Sequence, residues 1–144
     1  MLSSVKPRVL CVDDDEDSRE MLSMVLKFRR IDTKTVGTAA QAMSLIEAER
    51  FDLYLLDAWL PDLDGFELCR RMREVDPHTP ILFFSGAAYE ADKKRAIDAG
   101  ANAYVTKPDI EGLVGSITQF VFQAEIAAAA GNPRWTRSEW SPTF

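Results

Sequence analysis

The stretch Arg8-Val9-Leu10-Cys11-Val12, which ends abruptly in Asp13-Asp14-Asp15, decides the fold of this chain. A short apolar run bounded by polar residues is typical of a strand that is buried on both faces of a sheet. The same arrangement, an apolar run followed by a polar side chain, returns three times: Leu53–Leu56 before Asp57, Ile81–Phe84 before Ser85, and Ala103–Thr106 before Lys107. We therefore predict four strands whose carboxyl ends all carry functional groups.

Segments with helical spacing separate these strands. In the first, the apolar residues Met21, Leu22, Val25 and Leu26 fall on one helical face. The β-branched stretch Thr33–Val36 predicts one further strand, nearer the sheet edge. Helices are predicted at Asp17–Phe28, Ala39–Glu49, Phe66–Glu74, Tyr89–Ala99 and Ile110–Ala129. Five strand–helix units in succession indicate an α/β fold, with a parallel sheet covered by helices on both faces.

Length and composition restrict the possible classes of function. The 144 residues fit one globular domain, with 47% hydrophobic and 28% charged residues and a net charge of −6. No apolar run approaches the ~18 residues of a membrane span, and residues 1–6 have no apolar core of a signal peptide, so we expect a cytoplasmic protein without membrane contact. The acidic charge, without a basic stripe, argues against direct nucleic-acid binding. Cys11 and Cys69 are expected to be small core residues.

The polar groups at the strand ends should meet in one cleft. In an open parallel α/β sheet, the carboxyl ends of the strands form the edge where ligands bind. Crowded carboxylates repel one another unless a cation lies between them, and an all-oxygen ligand set suits Mg²⁺. A lysine and a hydroxyl opposite the ion could hold the oxygens of a phosphoryl group, and a shielded carboxylate can act as the nucleophile. The pattern therefore indicates phosphoryl transfer to an aspartate.

Five short motifs, in this order and at these strand ends, resemble the receiver domain of two-component response regulators. They are Val12-Asp13-Asp14, Leu55-Leu56-Asp57, Leu60-Pro61-Asp62-Leu63-Asp64-Gly65, Phe84-Ser85-Gly86 and Lys107-Pro108. Each motif alone is weakly specific, but their combination is highly specific, and it extends from about residue 8 to residue 124. The resemblance implies a flavodoxin-like, doubly wound (βα)5 fold with strand order 2-1-3-4-5. We expect the receiver domain to occupy residues 1–130 and residues 131–144 to form a flexible tail.

The resemblance also implies a role for each site residue. Asp57 would accept the phosphoryl group, Lys107 would pair with its oxygens and Ser85 would donate a hydrogen bond to one of them. Mg²⁺ would be bound directly by Asp14, Asp57 and the backbone carbonyl of Trp59, and through a water by Asp13. Tyr104 matches the aromatic residue that follows the movement of the hydroxyl. The Lys107-Pro108 bond resembles one that is usually cis, and Gly65 is predicted to need a positive φ.

The implied function is that of a phosphorylation switch and not of an enzyme. A sensor histidine kinase or a phosphotransfer protein would supply the phosphoryl group. The output surface would be formed by the last strand with the helices after Ser85 and Lys107. It would contact a downstream protein or a second copy of the chain, because no output domain follows within the 144 residues.

Several residues have a simpler interpretation or depart from the family pattern. Asp15 and Asp17 are predicted to cap the first helix or to complement its dipole, and Asp62 and Asp64 to be turn residues. Tyr104 could simply be an aromatic residue at the sheet edge, and Ser85 an inert hydroxyl. Trp59 and Ala87 lie where a hydrolytic water would approach, and neither offers a polar side chain, so we expect slow self-dephosphorylation. Asp109 stands where the family often has Phe, and it should favour the start of the last helix.

Two alternative functions remain open from the sequence. A haloacid-dehalogenase-type phosphatase would use Asp13 and Asp15 with Ser85 and Lys107, but it would leave Asp57 and the loop before Gly65 without a role. A receiver that accepts no phosphoryl group would act only as a binding module. The presence of every residue of the phosphorylation site argues against that second alternative.

Overall fold

The structure is a computed structural model that describes residues 6–87 and 89–129. The strands are β1 (Arg8–Val12), β2 (Asp32–Val36), β3 (Leu53–Leu56), β4 (Ile81–Ser85) and β5 (Ala103–Thr106). The helices are α1 (Glu16–Phe28), α2 (Ala39–Ala48), α3 (Gly65–Val75), α4 (Glu90–Ala99) and α5 (Ile110–Ala129). Strands and helices alternate strictly, as predicted. The predicted tail, residues 131–144, lies outside the described residues.

One parallel sheet has the strand order β2-β1-β3-β4-β5, which confirms the predicted flavodoxin-like topology. The chain winds from β1 outward to β2, crosses to β3 on the other side of β1, and then continues outward to β5. The order therefore reverses at β1, and β1 and β3 are neighbours with Val12 opposite Leu56 in register. Because both strands end at the same edge, the residues that follow them are brought together.

Two apolar clusters cover the two faces of this sheet. On one face, Leu10 and Leu56 of the central strands contact buried residues of α2, α3 and α4, among them Phe66. On the other face, Val9 and Leu55 contact the buried residues of α1 and α5. All four residues of β3 are buried, as its continuous apolar run predicts. In α1, Leu22 and Leu26 are buried, whereas Met21, expected on the same face, is 37% exposed.

Side-chain caps fix where several helices begin. Asp15 accepts a hydrogen bond from Ser18 N and caps α1, as predicted, while Asp17 lies in its first turn. Asp64 accepts from Glu67 N and caps α3, and Asp109 accepts from Gly112 N at the start of α5. At the other end of a helix, Gly100 follows α4 with φ 115°, the left-handed conformation that glycine adopts without strain.

A second polar cluster lies at the opposite end of the sheet from the acids. Asp76, which follows α3, accepts hydrogen bonds from the hydroxyls of Tyr54 and Thr79 and from the backbone N–H groups of His78 and Thr79. Partial burial acts to raise the pKa of Asp76, but these hydrogen bonds outweigh it and hold the pKa at about 2. The cluster ties the loop between α3 and β4 to the buried strand β3.

Candidate functional site

The acids after β1 lie at the carboxyl edge of the sheet, and they differ in exposure. Asp13 is 3% exposed, and its N–H donates to the carbonyl of Val36 at 3.1 Å. One oxygen of the Asp13 carboxylate accepts from Asp15 N at 3.0 Å. Asp14 is exposed. The turn therefore buries the first acid against the sheet and turns the second toward solvent.

Asp57 follows β3 and lies directly beside this turn, because its N–H donates to the carbonyl of Val12 at 3.0 Å. The amine of Lys107, after β5, lies 2.9 Å from an oxygen of Asp13 and 3.4 Å from an oxygen of Asp57. Burial of the amine acts to lower the pKa of Lys107, but the hydrogen bonds and charges of the two carboxylates raise it above its usual value. The amine is therefore protonated at neutral pH and bridges the two acids.

Asp13, Asp14 and Asp57 each offer a carboxylate oxygen such that all three oxygens lie within 4.8 Å of one another. Two ligands of one Mg²⁺ ion, each about 2.1 Å from the metal, lie at most about 4.2 Å apart. The three oxygens therefore lie close enough together to be gathered around one ion. The donor set is entirely carboxylate oxygen, which is the chemistry that Mg²⁺ prefers. The residues present fit a magnesium ion.

The hydroxyl and the aromatic residue of the predicted switch lie next to each other at the end of β4 and in β5. Ser85 is 1% exposed, and its backbone carbonyl accepts from Lys107 N at 2.9 Å. The Ser85 hydroxyl oxygen accepts a hydrogen bond from Ala87 N at 3.4 Å. The Tyr104 ring lies inward, parallel to Phe83 at 5.7 Å, and its hydroxyl donates to the carbonyl of Ala87. Tyr104 thus contacts the segment after Ser85 through a specific hydrogen bond, in addition to being half-buried in an edge strand.

The loop between β3 and α3 approaches the backbone of Asp57 closely. Trp59 pairs with Asp64 across the loop in an isolated antiparallel bridge, and its side chain is 53% exposed. Gly65 N donates to the carbonyl of Ala58 at 2.7 Å. A Cβ on Gly65 would lie 2.1 Å from the carbonyl oxygen of Asp57. The prediction that Gly65 needs a positive φ is wrong, since its φ is not in the left-handed region; glycine is required there by the lack of space.

The Lys107-Pro108 peptide bond is cis, as the sequence motif predicts. The predicted ligand role of the Trp59 carbonyl and the predicted roles of Ser85 and Tyr104 concern a phosphorylated, metal-bound state, and they stay predictions. The structure brings the side chains of Asp13, Asp57 and Lys107 into direct contact.

The sequence did not predict two polar contacts near the site. Arg19 of α1 donates to the backbone carbonyl of Asp13 at 2.7 Å. Asp62, predicted to be a turn residue, accepts from Ala39 N and Ala40 N at 2.9 and 3.0 Å, and these hydrogen bonds lower its pKa. Ala39 and Ala40 are distant from Asp62 in the sequence, so no local sequence pattern could have predicted these hydrogen bonds. For Arg19, the only available signal is a cation five residues after the second acid on a predicted helix.

A column of aromatic rings runs from the loop after Asp57 to β5. Trp59 meets the edge of Phe66 at 5.8 Å, Phe66 stacks on Phe83 at 5.3 Å, and Phe83 stacks on Tyr104. The guanidinium of Arg95 in α4 lies 4.1 Å from the centre of the Phe66 ring. The loop next to Asp57 is therefore in continuous packing contact with the strand that carries Tyr104.

Comparison with protein families agrees with this arrangement. The family model of the response regulator receiver domain matches residues 9–118. The chain belongs to this family of signalling domains. Domains of the family bind Mg²⁺ at an acidic pocket and typically accept a phosphoryl group, and response regulators work with sensor kinases.

The chain is similar to individual response regulators and receiver domains of known sequence or structure. It is similar to the DNA-binding response regulator MtrA of Mycolicibacterium smegmatis, with 36% identity over 107 residues, 74% of this chain and 46% of that protein. The chain thus spans about half the length of the curated relatives it matches. A CheY-like receiver domain protein from Methanospirillum hungatei has a similar solved structure, with a TM-score of 0.78 and 29% identity over 83% of this chain and 96% of that chain. The structural match with the chemotaxis response regulator CheY4 of Vibrio cholerae covers 81% of this chain and 99% of that chain, with a TM-score of 0.75 and 26% identity.

The described part of the chain has no helix that is both long enough and apolar enough to cross a membrane.

Proposed function

We propose that this chain is a phosphorylation switch that accepts a phosphoryl group on Asp57 from the phosphohistidine of a sensor kinase or a phosphotransfer protein. The observation that carries the proposal is the contact of three groups from distant parts of the chain. Asp13, Asp57 and Lys107 are joined by contacts of 2.9 and 3.4 Å, and Asp14 adds a third carboxylate to the same cluster. This arrangement supplies a nucleophile, a metal site and a cation for the phosphoryl oxygens.

In the proposed reaction, a carboxylate oxygen of Asp57 attacks phosphorus while the bond from phosphorus to the imidazole nitrogen breaks. The electron pair of that bond stays on the imidazole, and the product is an acyl phosphate on Asp57. Asp14, Asp57 and the Trp59 carbonyl would hold Mg²⁺ directly, and Asp13 would hold it through a water. When bound, the ion neutralises charge on the transferred group. The amine of Lys107 then pairs with a phosphoryl oxygen in place of its present carboxylate partners.

The new group adds about −1.5 to −2 charges at the edge of the sheet. The Ser85 hydroxyl donates to a phosphoryl oxygen, which draws the segment that holds Ala87 toward Asp57. Because the hydroxyl of Tyr104 donates to the Ala87 carbonyl, movement of this segment changes the position of Tyr104. The surface of α4, β5 and α5 is therefore the proposed output surface, and a downstream protein or a second copy of the chain is its proposed partner.

The experiment combines acetyl phosphate and Mg²⁺ with the purified chain and measures intact mass over time. We expect one added phosphoryl group, which is lost in Asp57→Asn and retained in the control Asp98→Asn, an exposed acid of α4. Continuous release of phosphate without a phosphorylated protein would instead indicate a phosphatase. That alternative is weakened by the position of Asp15, which caps α1. An unmodified wild-type chain would leave only the binding-module function.

A further inference from the structure

We propose that Arg19 is a positioning residue for the magnesium site, because its guanidinium holds the peptide that joins Asp13 to Asp14. This inference rests on the proposed function and names a residue that supports the same site. Arg19 lies in the first turns of α1, and its backbone N–H donates to the carbonyl of the capping residue Asp15 at 3.1 Å. Its side chain turns back past the start of the helix, and Nη1 donates to the Asp13 carbonyl at 2.7 Å.

The position of this contact explains why it affects a ligand that Arg19 does not touch. A peptide unit is planar, so the Asp13 carbonyl oxygen and the Asp14 Cα belong to one rigid group. Asp14 itself is exposed, so packing contributes little to the direction of its side chain. Its backbone must therefore supply the orientation of its carboxylate. Arg19 fixes one side of the peptide, while the hydrogen bond from Asp13 N to the Val36 carbonyl fixes the residue before it.

A second observation concerns the residue that lies beside this guanidinium. Gly37, which follows β2, lies beside it, and a Cβ there would be 3.1 Å from Nη1 of Arg19 and 3.9 Å from the Asp13 carbonyl oxygen. The φ of Gly37 is not in the left-handed region, so the backbone itself would accept another residue. A side chain at this position would therefore press on the guanidinium of Arg19, which would have to move by a few tenths of an ångström.

Charge and position act in opposite directions on metal binding. A fixed cation near the carboxylates repels Mg²⁺, whereas an ordered Asp14 binds it more tightly. A hydrogen bond to a charged donor at 2.7 Å is short and strong, and loss of partners that orient metal ligands typically weakens binding by about 10- to 100-fold. We therefore expect the ordering effect to dominate. Arg19→Lys retains the charge but not the planar donor group, and it separates the two effects.

The experiment measures the dissociation constant of Mg²⁺ by titration calorimetry, without any phosphoryl donor. The variants are Arg19→Ala, Arg19→Lys, Gly37→Ala and the double variant Arg19→Ala with Gly37→Ala. Lys27→Ala is the matched control, because it removes one charge from the last turn of the same helix. Unfolding in urea, with EDTA present, reports stability separately.

We expect Mg²⁺ to bind roughly tenfold more weakly to Arg19→Ala. Arg19→Lys should lie between it and the wild type, Gly37→Ala should show a smaller loss, and Lys27→Ala should bind as the wild type does. In the double variant, the alanine at position 37 should add nothing, since it acts through Arg19. If Arg19→Ala is too unstable to measure, Arg19→Lys and Gly37→Ala test the same contact.

The inference is overturned if Arg19→Lys and Gly37→Ala both bind Mg²⁺ with wild-type affinity. It is also overturned if Arg19→Ala loses stability but keeps wild-type affinity for Mg²⁺. Tighter binding in Arg19→Ala would overturn it as well, because it would mean that charge repulsion dominates. The proposed function fails in a different way, namely if the wild type itself binds no Mg²⁺ or gains no phosphoryl group on Asp57.

Discussion

The substitution Gly65→Ala tests whether the phosphorylation site depends on the close approach of α3 to Asp57. An added Cβ would lie 2.1 Å from the Asp57 carbonyl oxygen and 3.0 Å from Ala58 Cα. Contacts of a Cβ below 3.0 Å essentially do not occur, so the first turn of α3 and the backbone of Asp57 must separate by at least about 0.9 Å, the difference between 3.0 and 2.1 Å. Both partners are backbone atoms, and no side-chain rotation can relieve the overlap.

Two consequences follow from a shift of this size. Overpacking of a buried position typically costs about 1–3 kcal/mol, and we expect a loss of unfolding free energy within that range. A misplacement of about 1 Å in a reacting group can lower a rate about 100-fold, and Asp57 carries the proposed nucleophile. We therefore expect the rate of phosphorylation by acetyl phosphate to fall by one to two orders of magnitude.

The assay measures the initial rate of phosphorylation by intact mass at saturating Mg²⁺, together with unfolding in urea. Gly115→Ala in α5 is the matched control, because the residue is exposed and no atom of the described part of the chain lies within 4 Å of a Cβ there. That change should stabilise the helix by about 0.5–1 kcal/mol and leave the rate unchanged. A Gly65→Ala protein with wild-type stability and wild-type rate would refute the argument that lack of space requires glycine at this position.

Three further predictions concern other contacts. Asp76, whose pKa is about 2 in the folded chain against an ordinary value of 3.8, should stabilise the fold fully above pH 3.8 and lose this contribution as the pH falls through 2. Because the carboxylate is only partly buried, solvent screening reduces the stabilisation expected from the lowered pKa to about 1 kcal/mol. Asp76→Asn should therefore unfold more easily than the wild type at pH 7 and approach its stability near pH 2. A stability difference that stays constant from pH 7 to pH 2 would contradict this prediction. Trp59→Asn should shorten the lifetime of the phosphorylated form, and a wild-type lifetime of seconds that the substitution leaves unchanged would remove the hypothesis of slow hydrolysis. Asp62→Ala should lower the unfolding free energy by about 0.5–1 kcal/mol, as the loss of a helix cap does, and urea unfolding without any change would show that its two hydrogen bonds to α2 contribute nothing.

Much of the fold could be predicted because its signals are local. The apolar runs of β1 and β3 and the helical spacing between them are readable over a few residues, and the bounds of both strands agree with the structure. The ends of the helices were less accurate, because they depend on individual caps. Asp15 was identified as a cap and α1 begins at Glu16, whereas Tyr89, assigned to the helix, is the residue before α4 and makes no side-chain cap.

Interpretations that needed distances could not be reached from the sequence. The sequence suggested glycine at position 65 for its backbone freedom, but the structure shows that the reason is the carbonyl oxygen of Asp57. Asp62 looked like a turn residue, yet it holds the start of α2, 22 and 23 residues away. Such contacts form only when separate elements pack, and no pattern within one element contains them.

The sequence by itself determined the alternation of strands and helices, the residues that end each strand, and hence the edge of the sheet at which Asp14, Asp57, Ser85 and Lys107 must lie. These properties follow from the spacing of apolar side chains and from the geometry of parallel sheets. Only the tertiary structure decided that Lys107 bridges Asp13 and Asp57, that Tyr104 lies inward, and that Arg19 holds the Asp13 carbonyl. The physical reason is range: hydrogen bonds and close contacts depend on tenths of an ångström between groups up to 94 residues apart, and packing fixes those distances.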